Sequence, residues 1–170
     1  MKRLLGTALY VLMAVGMMTA CSDGLDNESS MKVNGVSYGI DDAGIAYTSR
    51  IVDSQGEFEI PAHAGCDIYF NTGDDMYVFD FSIYGIKHES DLTKGKDVTE
   101  DIVVHDYRSI YSIEFDYRYD VTAGSVIVKD IAHGYAIMEF NNFTFVKESG
   151  RYKDKYTMNG IVKFYDINVE

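Results

Sequence analysis

Ile110-Tyr111-Ser112-Ile113-Glu114-Phe115-Asp116-Tyr117-Arg118-Tyr119 alternates without a fault. Tyr111, Ile113, Phe115, Tyr117 and Tyr119 fall on one face. Ser112, Glu114, Asp116 and Arg118 fall on the other. Successive side chains of an extended chain point to opposite faces, so the pattern describes a strand with one face buried and one wet. Residues 76–84 repeat it, with Tyr77, Phe79, Phe81 and Ile83 on one side and Asp80 and Ser82 on the other.

Residues 135–146 alternate through Ala136, Met138 and Phe140, and then the phase switches at Asn141-Asn142 in favour of Phe143 and Phe145. One extra residue flips every later side chain, so a β-bulge is expected there, or else a tight turn. Residues 156–167 form the last strand, with Met158, Gly160, Val162 and Phe164 on one face. A glycine inside a strand marks a bend or a place where two backbones approach closely. Weaker strands are expected at 32–38, 45–52, 57–60, 68–71, 102–105 and 125–131.

Short aromatic and β-branched runs, punctuated by glycine, are the signature of an antiparallel all-β fold. Residues 120–124, 132–134 and 148–154 read as hairpin connections. Residues 87–101 form one long polar connection. The expected architecture is a two-sheet β-sandwich of about ten strands, with a flattened, lipocalin-like closed β-barrel as the alternative.

The N-terminus carries a different message. Lys2 and Arg3 precede an uncharged, largely apolar run from Leu4 to Met18, and Thr19-Ala20-Cys21 follows. The run is short for a transmembrane helix and has the layout of an export signal. Met18-Thr19-Ala20-Cys21 resembles a bacterial lipobox, although leucine is more usual where Met18 stands. The resemblance implies cleavage before Cys21 and attachment of lipid to its sulfur. The domain plan is therefore a signal peptide at 1–20, a lipidated cysteine with an acidic tether at 21–31, and a single β domain at 32–170. An acidic run directly behind the cysteine (Ser22-Asp23-Gly24-Leu25-Asp26) resembles the surface-export signal of Bacteroidota lipoproteins, with a plain solvated linker as the alternative. It implies an outer-membrane protein at the cell surface; the alternative is one facing the periplasm.

The chain's net charge is −12, and loss of Lys2 and Arg3 takes it to −14. A surface this acidic repels nucleic acid and anionic head groups, which excludes both as partners of the domain. Apart from the membrane, reached through the anchor at Cys21, a neutral glycan or a protein is the expected partner. Cys66, the second of two cysteines, has no partner once Cys21 is lipidated, and reads as a small buried hydrophobe.

No catalytic signature is visible: no nucleophile elbow, phosphate loop, zinc helix or CxxC pair. No catalytic, cofactor-binding or metal residue is assigned, and no cofactor is expected. His63, His88, His105 and His133 lie near expected turns or strand ends without ligand spacing. The acids at Asp41-Asp42, Asp74-Asp75, 97–101 and 116–120 lack a calcium-loop pattern. Tyrosine is abundant, at 14 residues, beside nine phenylalanines and no tryptophan. Tyr107, Tyr111, Tyr117 and Tyr119 could line one surface, or serve as half-buried core.

Val33-Asn34-Gly35, the stretch Asp91-Leu92-Thr93-Lys94-Gly95-Lys96-Asp97 and the strand Met158-Asn159-Gly160-Ile161-Val162-Lys163-Phe164 resemble the small β-rich lipoproteins that Bacteroidota carry in numbers. That resemblance implies location and fold, and carries over no functional residue but Cys21. The resulting expectation is a surface-anchored, non-enzymatic binding or accessory module. A carrier of a small apolar ligand inside a barrel is the second reading, and a surface hydrolase the third.

Overall fold

The computed structural model describes residues 29–52, 59–71, 76–109 and 117–167. The fold is all-β. Ten strands are described: β1 (Ser30–Val33), β2 (Val36–Thr48), β3 (Ile51–Val52), β4 (Glu59–Ile60), β5 (His63–Asn71), β6 (Met76–Tyr84), β7 (Ile102–Ser109), β8 (Arg118–Ala132), β9 (Tyr135–Ser149) and β10 (Tyr152–Asp166). Eight form one sheet in the order β7-β6-β5-β2-β1-β10-β9-β8, and β3 pairs only with β4. No described helix is long and apolar enough to cross a membrane.

The large sheet curls until its two ends face each other. Phe79 of β6 stacks on Phe145 of β9 with centroids 5.3 Å apart, and Phe81 of β6 meets Phe140 of β9 and Phe164 of β10 at 6.0 Å. Strands far apart in the sheet order thus touch through the middle. This is the nearly closed barrel of the alternative expectation, rather than two stacked sheets. Its interior is filled by its own rings, with Phe70, Phe79, Phe81, Phe140, Phe143, Phe145 and Phe164 all fully buried. Each such side chain contributes roughly 1.5–3 kcal/mol by leaving water.

Alternation sets the inward face. Ala64, Cys66, Ile68 and Phe70 of β5 are buried while the residues between them are not. Cys66 therefore sits inside the core, as expected, and burial pushes its thiol pKa well up. The strand expected at 76–84 is β6 to the residue.

The expected bulge at Asn141-Asn142 is present. Phe140 and Phe143 are both buried while the two asparagines between them are exposed, and Asn142 has φ 49°. Asn142 N–H donates to Asn159 Oδ1 at 2.8 Å across the irregularity in the β9–β10 pairing. Gly160 follows, opposite Met31, and a Cβ there would lie 2.0 Å from the Ser30 carbonyl oxygen. The backbones of β1 and β10 approach closely at this point, one of the two roles expected of that glycine.

Four expectations are corrected. Residues 32–38 are not one strand: β1 and β2 form a hairpin whose turn, Asn34-Gly35, has φ 51° and 83°. Both central residues take the left-handed conformation that lets a two-residue turn follow the strand twist. The sheet also begins at Ser30, two residues ahead of the expected start. Residues 120–124 are not a connection but the irregular part of β8, where Gly124 (φ 85°) faces the Asn142 bulge with no room for a side chain. The expected connection at 148–154 shrinks to a turn at Gly150-Arg151. The strand read at 110–119 is described only from Tyr117, with Arg118 and Tyr119 opening β8; the rest lies outside the described residues.

Candidate functional site: a tyrosine-lined barrel end

At one end of the barrel the inward-facing positions change from phenylalanine to tyrosine. Tyr77 precedes Phe79 and Phe81 on β6, Tyr156 precedes Met158 on β10, and Tyr38 lies near the start of β2. On β7 a bulge at His105 shifts the phase, so Tyr107 turns inward while Asp106 faces Asp80. Tyr119 comes from β8, with Tyr117 just before it. Tyr107, Tyr117 and Tyr119 thus share one region, with Tyr107 buried and the other two half-buried, which is the core alternative of the sequence reading; Tyr111 lies outside the described residues.

The rings touch. Tyr77 stacks on Tyr107 at 6.1 Å, Tyr107 meets Tyr156 at 4.5 Å, and Tyr38 contacts Tyr77 at 6.5 Å. Phe79 and Phe145 form the floor beneath them, 6.3 and 5.6 Å from Tyr107. Tyr107 is 6% exposed, whereas Tyr38, Tyr77, Tyr119 and Tyr156 are half-buried. Burial pushes the phenol pKa values of Tyr107, Tyr119 and Tyr156 up. These hydroxyls stay protonated at neutral pH and can both donate and accept. Lys147 of β9 lies 3.9 Å above the Tyr117 ring and donates to the Tyr107 carbonyl at 2.8 Å. Burial pulls its ammonium pKa down, against the pull of Asp106 and Asp154.

Among the described residues the two sheet ends, β7 and β8, are not hydrogen-bonded as neighbours. At the tyrosine end, Tyr119 Oη donates to Asp106 Oδ1 at 3.1 Å and accepts the Tyr107 N–H at 3.2 Å. At the other end the connection between β6 and β7 lies against β8: Gly95 N–H donates to the Val128 carbonyl, Val128 N–H to Lys96 and Val98 N–H to Val126. Between these stitches lies an open cleft of about 540 Å³, lined by Ile102–Val104 of β7, Tyr119–Gly124 of β8, Thr99 and Glu100.

Outside the barrel, Asp67 of β5, Asp80 of β6 and Asp106 of β7 stand directly opposite one another on neighbouring strands. Burial first, then Asp42, raises the Asp67 pKa. Burial, with Asp67 and Asp106, raises Asp80 against the pull of His105. His105 Nε2 is 2.8 Å from Ser82 Oγ. This resembles a base beside a nucleophile, but Ser82 is 4% exposed, so the contact serves to satisfy a buried hydroxyl. His63 lies near the Pro61 carbonyl, at 2.9 Å, and against Tyr84, while His88 and His133 are exposed elsewhere. No group of three potential ligands among the described residues is placed to hold a metal. Cys21 lies outside the described residues.

Sequence reasoning missed Tyr38, Tyr77 and Tyr156 as members of one group. They come from three strands distant in sequence, β2, β6 and β10, and no local pattern groups them. No protein-family model, curated protein or solved structure matches the chain.

Proposed function

We propose that this is a lipid-anchored surface protein that binds a neutral glycan at the tyrosine-lined end of its barrel, without catalysing a reaction. Thioether-linked lipid at Cys21 would hold it to the outer membrane, with the domain facing outward.

The observation that carries the reading is the gathering of Tyr38, Tyr77, Tyr107 and Tyr156 from four strands onto one end. Tyrosine offers an apolar face for a sugar ring and a neutral hydroxyl for its hydroxyl groups. The net charge of −12 disfavours anionic ligands and leaves a neutral one. Rings occupying the barrel's middle argue against an apolar ligand inside it. The burial of Ser82 argues against using it as a nucleophile.

The test is a neutral-glycan array probed with the full chain and with a Tyr38→Phe/Tyr156→Phe double variant. Removing two hydroxyls leaves the ring packing in place. The reading expects neutral hits that weaken at least about tenfold in the variant, the scale of one or two hydrogen bonds lost. Hits that ignore the substitutions, or an empty array, would overturn it.

A further inference from the structure

From the seam between β7 and β8 we infer a second binding site, which takes an extended, basic segment of a partner protein as an added strand. The cleft is walled by two strand edges that pair with no further described strand, Ile102–Val104 on one side and Val121–Gly124 on the other, with the Ile102 N–H alone already given to the Thr99 carbonyl. Unpaired edges present a row of backbone donors and acceptors, which another extended chain satisfies.

The protein already uses this edge in the same way. Residues 95–98 lie along β8 and exchange three backbone hydrogen bonds with Val126 and Val128. An added strand in the cleft would continue that pairing toward Val121, over roughly 13 Å of edge. Val103, 44% exposed, gives the added strand an apolar contact.

Charge sets the occupant's character. Glu100 and Asp120 line the cleft, and Asp97 and Asp101 flank Glu100 in the chain. Asp120 shares Arg118 with Glu148. Glu100 and Asp101 have no ion-pair partner among the described residues. A segment alternating lysine or arginine with apolar residues therefore fits both the edge and its rim. Tyr119 borders both this cleft and the tyrosine end, but the strand-addition proposal does not rest on the glycan reading.

The probe is an eight-residue peptide alternating lysine and valine, titrated into the full chain by fluorescence anisotropy and amide exchange. Binding is expected to slow exchange at unpaired amides within Ile102–Val104 and Val121–Gly124. N-methylation of alternate peptide nitrogens should weaken binding at least about tenfold, because pairing is lost while charge is kept. Glu100→Gln with Asp120→Asn should weaken the unmethylated peptide about threefold or more. Binding without protection at either edge, equal binding of the N-methylated peptide, or equal binding of a serine–valine peptide would overturn the proposal. So would edge protection arising from self-association of the free chain.

Discussion

Tyr119 of β8 crosses the open seam of the barrel to donate its hydroxyl proton to Asp106 of β7 at 3.1 Å. The same oxygen accepts the Tyr107 N–H, so this phenol, beside the Lys147 ammonium of β9 on the Tyr107 carbonyl, links the sheet ends where no described backbone pairing does. Tyr119→Phe removes both bonds and leaves a part-buried amide and a carboxylate short of a partner. The expected cost is about 1–3 kcal/mol of stability, read from urea unfolding, together with faster exchange of the Tyr107 amide. Unchanged exchange at Tyr107 would show that the seam is held by something else.

Gly160 tests the close approach of β1 and β10. A Cβ at this position would sit 2.0 Å from the Ser30 carbonyl oxygen, and the φ of 156° is one that other residues rarely adopt. Gly160→Ala should destabilise the protein by about 3 kcal/mol, the scale of an overpacked core. Amides of β1 should lose protection before those of β9. Uniform loss of protection across the sheet would contradict this local explanation.

The acid row should be visible in the pH dependence of stability. Burial chiefly raises the folded pKa values of Asp67 and Asp80 from the ordinary carboxylate value. The folded state therefore binds more protons than the unfolded one, and stability falls as pH rises from that value toward the raised values. Above them the full penalty persists. Asp80 faces Asp67, Asp106 and His105. Asp80→Asn should raise stability at neutral pH by up to about 1 kcal/mol, limited by solvent screening of a half-exposed group. The gain should vanish in acid, below the ordinary carboxylate range. A variant destabilised equally at every pH would contradict the prediction.

The inward faces were legible wherever one strand carried its own pattern. Residues 76–84 were bounded to the residue, and the Asn141-Asn142 phase switch located the bulge of β9. Residues 120–124 misled because Thr122-Ala123-Gly124 has the composition of a turn. What needs the positive φ at Gly124 is the neighbouring bulge, which lies in another strand. Residues 32–38 read as one weak strand although Gly35 itself suits a turn position with positive φ, and the turn prevails, with Gly35 at φ 83° in the β1–β2 hairpin. Closure of the barrel, the seam and the tyrosine group are long-range outcomes. They depend on β7 and β8 becoming the two free ends, which no single stretch encodes.

The proposed lipid anchor at Cys21 has its own test, independent of the fold. Mass spectrometry of the protein recovered from envelopes of a bacterium with lipoprotein processing should show an N-terminus at Cys21 carrying diacylglycerol on sulfur. Cys21→Ser should release the domain from the membrane fraction. A free thiol at Cys21, or cleavage at another residue, would remove the lipoprotein reading.

The most direct measurement of the binding claim is an NMR titration of the full chain with a neutral oligosaccharide drawn from the array. The account predicts shifts concentrated at the amides of Tyr38, Tyr77, Tyr107 and Tyr156 and on the Lys147 side chain. Shifts gathered instead on the outer faces of β5 and β6, or none at saturating sugar, would contradict it.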